Sequence, residues 1–486
     1  MAYIALDIGS SFIKSALLDV DRHEISMVTK LPAPGKLPNP KNAYYEIDAD
    51  SIIDTVMQLI QSYLRKKLTV EGILIATQMQ GFLLTDGQGR PITPYIPWQD
   101  ERCLEMLPDG SASYMEVLRE LIKPADLRRT GLDLKPGLAL CNLFQWLRTH
   151  TLPDGATVMF HTLGSYLIHC LTGRHACHLT NAAATGFADI GAGAWNHAII
   201  EAAGGGTLKF PEFKGETEPC GYYASDKGPI PVFPDIGDHQ ASVLGSMAVS
   251  YNEIVLTIGT AGIMTRISNE PRTGAYEIRP YFKGEVLQTV TRIPGGRNLD
   301  VLIEFIEDVG RTVFGRELSS EQIWAQVLPA VQQFMTSEKR MQDQDREGIE
   351  VLGDLEVEVG FYKQQRGVEA GGIHGITGAN LRVGSLFHAA FENMAEVYMK
   401  LMEVLCPDGG KVERLIFSGG VSYKNKPLIE RIVQLARTPG VMSPIPDESL
   451  MGLLRLALLC SGRCSDFNET RTVIKASFAG QDDRLK

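Results

Sequence analysis

Two stretches of this chain share one pattern of hydrophobic and polar positions. Residues 4–14 read Ile-Ala-Leu-Asp-Ile-Gly-Ser-Ser-Phe-Ile-Lys. An apolar run stops at a glycine and two hydroxyl residues and then resumes, which predicts strand, tight turn, strand. Residues 255–265 read Val-Leu-Thr-Ile-Gly-Thr-Ala-Gly-Ile-Met-Thr and repeat it. At an offset of 250, Leu6 falls on Leu256, Ile8 on Ile258, Gly9 on Gly259, Ser10 on Thr260 and Ile13 on Ile263. That offset is close to half of the 486 residues. Such a recurrence predicts a duplicated α/β protein. Its halves, residues 1–245 and 246–486, each bring one glycine turn to a shared central cleft.

Elsewhere the periodicity is mostly helical. Residues 50–64 place Ile52, Ile53, Val56, Leu59, Ile60 and Tyr63 on one face. Helices are also expected over 112–130, 138–150 and 160–172, the last ending at Gly173. The second half predicts helices over 299–316, 320–336, 386–405, 427–437 and 449–460, with a strand over 412–417. Residues 72–77 form a further strand. Residues 31–41 and 178–187 read as loops, and 191–230 hold many glycines and prolines and few periodic runs.

Composition narrows the function classes. The formal net charge is −11 and no basic cluster occurs. Nucleic acid and an anionic membrane surface are therefore not expected partners. No stretch is apolar for long enough to span a bilayer. The N-terminus has no basic leader and carries Asp7 inside its apolar run, so a signal peptide is not expected. The eight cysteines form no Cys-x-x-Cys pair; Cys460 and Cys464, in an apolar segment, read as core thiols. Reduced thiols without a signal peptide point to the cytoplasm. P-loop, Rossmann, zinc-protease and nucleophile-elbow motifs are all absent.

The chemistry-bearing residues fall into four groups. The turns at Gly9-Ser10-Ser11 and Gly259-Thr260-Ala261 offer backbone N–H groups and hydroxyls, a nest for anionic oxygens, and two such nests would grip a polyphosphate. Either turn alone reads equally as an ordinary hairpin. Asp7, a carboxylate at the end of an apolar strand, needs a cation or donors, and Mg²⁺ bridged by water is the candidate. Residues 78–102 hold Gln78-Met79-Gln80-Gly81 and Trp98-Gln99-Asp100-Glu101-Arg102. A tryptophan flanked by amide, acid and guanidinium suits a polyhydroxyl ligand. The alternative is a core Trp98 and a surface pair, Asp100 and Arg102. Gly237 is expected to supply a turn into a small-residue helix opened by Asp238, which either serves that helix terminus or acts in catalysis. Finally, strand, Ser418-Gly419-Gly420 and helix make a nucleotide cradle.

In this order, these segments resemble the FGGY carbohydrate kinases, whose fold is a duplicated actin-like (ribonuclease H-like) ATPase. Residues 7–14 are similar to that family's first phosphate motif and 259–262 to its second. Residues 78–81 and 98–102 resemble its sugar-binding segments, 237–241 the segment of its catalytic Asp, and 418–420 its adenosine motif. The resemblance implies ATP and Mg²⁺ as cofactors and transfer of the γ-phosphoryl group to a sugar hydroxyl. It implies Asp238 as the catalytic base and Asp7 as the metal residue. Ser10, Ser11, Lys14, Gly259 and Thr260 would meet the phosphates, and Gly419 and Gly420 the adenosine. Met79, Gln80, Trp98, Asp100, Arg102 and Asp238 would hold the sugar.

Within the family, Trp98–Cys103 and Gly237–Val243 look closest to sedoheptulokinases, with xylulokinases next. The expected acceptor is therefore a ketose such as sedoheptulose, D-xylulose or ribulose, and a homodimer is a candidate assembly. Three positions depart from the pattern. Gln80 stands where xylulokinases usually have His, Ala261 where Ser is common, and Ser385 where a larger polar residue is usual. Two other readings of the same fold are a sugar-independent actin-like ATPase and a sugar-sensing pseudokinase.

Overall fold

The computed structural model describes residues 1–66, 68–153, 155–272, 274–343, 355–363, 365–406 and 410–478. Its frame is two six-stranded sheets. In the first, β1 (Ala2–Ile8) and β2 (Phe12–Asp19) form an antiparallel hairpin, and β3 (Glu24–Pro32) pairs with β2. β4 (Val70–Thr77) runs parallel to β1 on its other side. β5 (Gly221–Ser225) and β6 (Gly228–Gly237) follow, with β6 parallel to β4.

The second sheet repeats this plan. β7 (Glu253–Ile258) and β8 (Gly262–Ser268) form the hairpin. β9 (Glu277–Pro280) pairs with β10 (Val286–Ile293), which is antiparallel to β8. β11 (Arg414–Ser418) runs parallel to β7, and β12 (Gly440–Met442) parallel to β11. So β10, β8, β7, β11 and β12 occupy the places of β3, β2, β1, β4 and β6. The repeat read from two turns extends to five strands of each half.

Helices follow from local signals. In α1 (Ala49–Leu64), the Asp48 carboxylate accepts from Asp50 N, and Ile52, Val56, Leu59, Ile60 and Tyr63 are buried, while Ile53 is only partly so. Residues 112–130 form two helices, Tyr114–Leu121 and Pro124–Arg128, instead of the single one expected. Pro124 holds Lys123 extended and restarts the helix. Residues 160–172 likewise divide into a strand, Val158–His161, and a helix, Leu163–Thr172, started by the Thr162 hydroxyl. Residues 178–187 are no loop. They hold α2 (Leu179–Ala184), started by the His178 side chain, and its small side chains let Thr180 to Ala184 be buried.

Two helices tie the halves together. α3 (Asp238–Gly245) follows β6, and α5 (Glu448–Cys460) follows the corresponding β12; between them in sequence lies α4 (Gly296–Phe314). α3 and α5 cross so closely that a Cβ on Gly245 would lie 1.8 Å from Glu448 O, and one on Gly452 2.0 Å from Ala241 O. Around this crossing, Val243, Leu244, Leu450, Leu453 and Leu454 join Ala5, Leu74 and Val255 in one core shared by both sheets. Among the described residues, no helix is long and apolar enough to cross a membrane.

Candidate active site

The first turn carries charge. Asp7, next to last in β1, lies opposite Lys14 of β2 and is buried. Lys14 Nζ is 3.5 Å from Asp7 Oδ2 and 2.9 Å from Asp447 Oδ1, just before α5. Ser449 Oγ of α5 donates to Asp7 Oδ2. Residues from both ends of the chain thus converge on one carboxylate. Burial pushes the Asp7 carboxyl above its ordinary value, and Lys14 and Ser449 pull it back. Gly9 N donates to Phe12 O at 3.0 Å, which leaves Ser10 half-buried and Ser11 exposed at the tip.

The second turn is shorter and neutral. Ile8 pairs with Ile13, whereas Ile258 pairs with Gly262, so one residue fewer closes this hairpin. Thr257 stands in the place of Asp7, and its hydroxyl is 2.8 Å from that of Ser418. The turn sits on the start of α4: Gly296 N donates to Gly259 O (2.8 Å) and Arg297 N to Thr260 O (3.2 Å). A Cβ on Gly295 would come within 2.7 Å of the Ala261 backbone, so this seat needs glycine. Nearby, Gly419 has φ 83°, and its missing Cβ would lie 2.7 Å from Ile258 O. Its N–H donates to Glu448 Oε1 at 3.3 Å, and Gly420 faces open space.

Asp238 is the first residue of α3. It does not cap the helix; Gly237 occupies the cap. Asp238 Oδ1 accepts from the adjacent His239 N at 2.7 Å, and its other oxygen has no partner among the described residues. Burial and the neighbouring Asp7 push its carboxyl up to about 7, against Arg279 and Lys14. Gly237 is not needed for its backbone angle, since φ is −63°. It is needed for space: a Cβ there would lie 2.3 Å from Gln240 Oε1 and 2.8 Å from Met79 Sδ.

A buried polar lattice holds Asp238 beside Met79. Asn181 Nδ2 of α2 donates to Thr77 Oγ1 at the end of β4 and to Asp235 Oδ2 in β6, both at 2.9 Å. Thr162 Oγ1 and His178 N also donate to Asp235, each at 3.1 Å, and Gly237 N donates to Thr180 Oγ1 at 3.1 Å. The ends of β4 and β6 are thereby locked in register. Beyond β4, Gln80 has φ 74°, and Gly81 lets Tyr95 approach: a Cβ there would be 2.4 Å from the Tyr95 hydroxyl. That hydroxyl is buried without a partner among the described residues, as are Gln78 Oε1, Gln99 Oε1 and Gln240 Oε1. Burial first, and Asp238 second, push the Tyr95 phenol up. Uncommitted buried polar atoms are costly unless a ligand or water meets them.

The structure separates the Trp98–Arg102 segment into two parts. Trp98 is 46% exposed and is not a core residue; Gly137 packs on its backbone. Asp100 and Arg102 are no surface pair: both are buried and face each other. Arg102 Nε and Nη2 donate to Asp100 (2.8 and 2.9 Å), Arg102 Nη2 also reaches Glu46 (2.7 Å), and Tyr45 N donates to Asp100 (2.7 Å). The guanidinium stacks on Tyr44, 4.4 Å from the ring centroid. This geometry buttresses the segment that carries the exposed Trp98. Met79 packs against Gly237, next to Asp238, whereas Asp100 and Arg102 engage each other and Glu46.

The carboxylates of Asp7 and Asp238 fit a hard divalent cation. They are close enough to disfavour each other's charge, and Mg²⁺ is usually held by one or two carboxylates plus phosphate oxygens. Among the described residues, no three His, Cys, Asp or Glu side chains form a metal cage, so the remaining ligands would come from nucleotide and water. Sequence reasoning missed Tyr95, Ser449, Asp447 and the strand β9. The Asp-Glu-Ser run before an apolar helix was a signal for Asp447 and Ser449; a lone tyrosine in a loop offered none.

Residues 2–245 match the model of the FGGY family of carbohydrate kinases, N-terminal domain. A glycerol kinase from Saccharolobus islandicus is 26% identical over 279 residues, 55% of this chain and 53% of that protein. The chain thus matches about half the length of this curated relative. The solved glycerol kinase of Plasmodium falciparum with ADP superposes with a TM-score of 0.79 at 17% identity, covering 97% of this chain and 92% of that one. Gluconate kinase from Lactobacillus acidophilus gives 0.78 at 16% identity, covering 96% and 91%. These neighbours place the duplicated actin-like α/β fold on the whole chain.

Proposed function

The chain belongs to the FGGY family of carbohydrate kinases, and from that premise we propose that it transfers the γ-phosphoryl group of ATP to a hydroxyl of a small sugar, a ketose such as sedoheptulose or a pentulose. The observation that carries this reading is Asp238. One of its oxygens is uncommitted, it stands beside Met79 at the Gln80 turn, and it shares the cleft with Asp7.

The acceptor hydroxyl meets the open oxygen of Asp238, which orients it in line with the γ-phosphorus and takes its proton. A carboxyl titrating near 7 is better matched to this task than an ordinary one. The proton leaves late, because phosphoryl transfer passes through a loose transition state. Orientation supplies much of the acceleration. The amides of both glycine turns, with Ser10, Ser11 and Thr260, stabilise the phosphate oxygens, and Lys14 reaches them from β2. Gly419 and Gly420 border the adenosine. When bound, Mg²⁺ held at Asp7, beside Asp238, would neutralise phosphate charge. Gln80 and Trp98 hold the sugar, and Asp100 with Arg102 keeps their loop rigid. Closure of the halves excludes water as a competing acceptor.

The test is ADP release with Mg-ATP across sedoheptulose, D-xylulose, D- and L-ribulose, glycerol and gluconate. Strong stimulation by one of them, lost in Asp238→Ala, is expected. Equal turnover without any acceptor would replace this reading with a sugar-independent ATPase. Acceptor binding without turnover would make the protein a sensor.

A further inference from the structure

β9 belongs to the second sheet but reaches across into the acceptor side of the first half. Ile278 N donates to Gly131 O at 2.9 Å, and a Cβ on Gly131 would lie 2.3 Å from Ile278 O. Gln240 Nε2, in the turn after Asp238, donates to Pro280 O at 3.0 Å. Arg279 of this strand lines a narrow cavity together with Met79, Thr180, Leu132 and Ala183. The cavity thus joins the loop after β4, helix α2 and a strand from the other half.

Arg279 is held there by a chain of charges that crosses between the halves. Its Nε and Nη2 donate to Glu277 Oε2 at 3.1 and 2.7 Å. The other Glu277 oxygen meets Lys135 of the first half, and Thr291 Oγ1 at 3.5 Å. All three charged side chains are largely buried. Burial opposes the charge of Glu277, yet Arg279 and Lys135 hold its carboxyl well below the usual range. Two cations face this one carboxylate, and burial opposes the charge of Lys135. Arg279 also lowers the Asp238 carboxyl. Among the described residues its Nη1 has no hydrogen-bond partner, so the planar fork is fixed on one edge and uncommitted on the other.

We infer that Arg279 is the acceptor-specificity residue of this site: its free edge donates to oxygens of the acceptor, either neighbouring hydroxyls or a carboxylate, away from the hydroxyl that is phosphorylated. A residue from the second half can make that contact only with β9 docked, so it also couples acceptor binding to closure. Glu277 and Lys135 are positioning residues for it. The inference rests on the kinase reading above.

The test uses the full chain and the variants Arg279→Ala, Arg279→Lys and Glu277→Gln, first checked for unchanged thermal unfolding. KM and kcat are measured for the best ketose, for glycerol and for gluconate, with KM for Mg-ATP as control. Arg279→Ala is expected to raise the ketose KM about tenfold or more while the Mg-ATP KM stays within about twofold. Arg279→Lys should recover part of the loss, and Glu277→Gln should lose an intermediate amount. A larger loss with gluconate than with the ketose marks a carboxylate as the preferred partner; equal losses mark hydroxyls. If the wild type depends on an acceptor and Arg279→Ala leaves every acceptor KM unchanged, the inference is wrong although the kinase reading stands. If the wild type turns over ATP equally without acceptor, the kinase reading fails and takes the inference with it.

Discussion

The two halves of this molecule begin their cleft helices with an acid, and the two acids are treated differently. Asp238 opens α3 after β6, and Glu448 opens α5 after the corresponding β12. Glu448 accepts from Gly419 N and from the Tyr423 hydroxyl, both at 3.3 Å, so it closes the Gly419–Gly420 turn. Among the described residues Asp238 accepts only from its neighbour's N–H. The hairpins differ in the same sense. The first carries Asp7 opposite Lys14, and the second carries Thr257 opposite Ile263. The two frames are alike, but the first turn holds charge and the second is neutral, which suits the proposed division into a reacting side and a nucleotide side.

The most severe way to break this comparison is to exchange the acids for amides. Asp238→Asn should lower kcat by about 10²–10⁴-fold with nucleotide affinity within a few-fold. Glu448→Gln should instead weaken nucleotide binding and leave most of kcat, as read by steady-state kinetics and ADP titration.

The lattice that aims Asp238 comes next. Asp235→Ala orphans Thr162, Asn181 and the His178 amide, which should cost about 2–3 kcal/mol or more, seen in denaturant unfolding. No loss would show that Asp235 is not what locks β6. The shared crossing is tested by Gly245→Ala. Its Cβ would strike the Glu448 carbonyl, so a loss of about 1–3 kcal/mol is expected, with nucleotide and acceptor sites both weakened because both helix starts shift.

The smallest effect is a pH signature. The Asp238 carboxyl sits at about 7, above its unfolded value of 3.8. The folded protein therefore binds the extra proton between those values, and that contribution to stability disappears as pH rises toward and past 7. Asp238→Asn lacks this dependence. In nucleotide-free protein its melting temperature should gain on the wild type between pH 5 and pH 8, and a constant difference would contradict the raised value.

Much of this design was readable because it is local. The glycine-hydroxyl turns, Asp7 at a strand end, the Gly-Gly after β11 and the strand-to-helix step at Asp238 are all written in consecutive residues. The duplication was readable because matching turns recur at one offset. What escaped depends on contacts between distant segments. Ser449 reaches Asp7 across 442 positions, and Lys135 reaches Glu277 across 142. Tyr95 matters only because Gly81 admits it. Asp100 and Arg102 have the right chemistry for a sugar, but Tyr45, Glu46 and Tyr44 surround them first. A loop composition at 178–187 concealed a helix, since small residues suit both a polar lining and a tightly buried α2.

The most direct measurement is single-turnover transfer from γ-labelled ATP to the best acceptor, in wild type, Asp238→Asn and Glu448→Gln at saturating nucleotide. Labelled sugar phosphate should form rapidly in wild type and Glu448→Gln, and barely at all in Asp238→Asn. Equal transfer by Asp238→Asn and wild type would contradict the division of labour between the two acids.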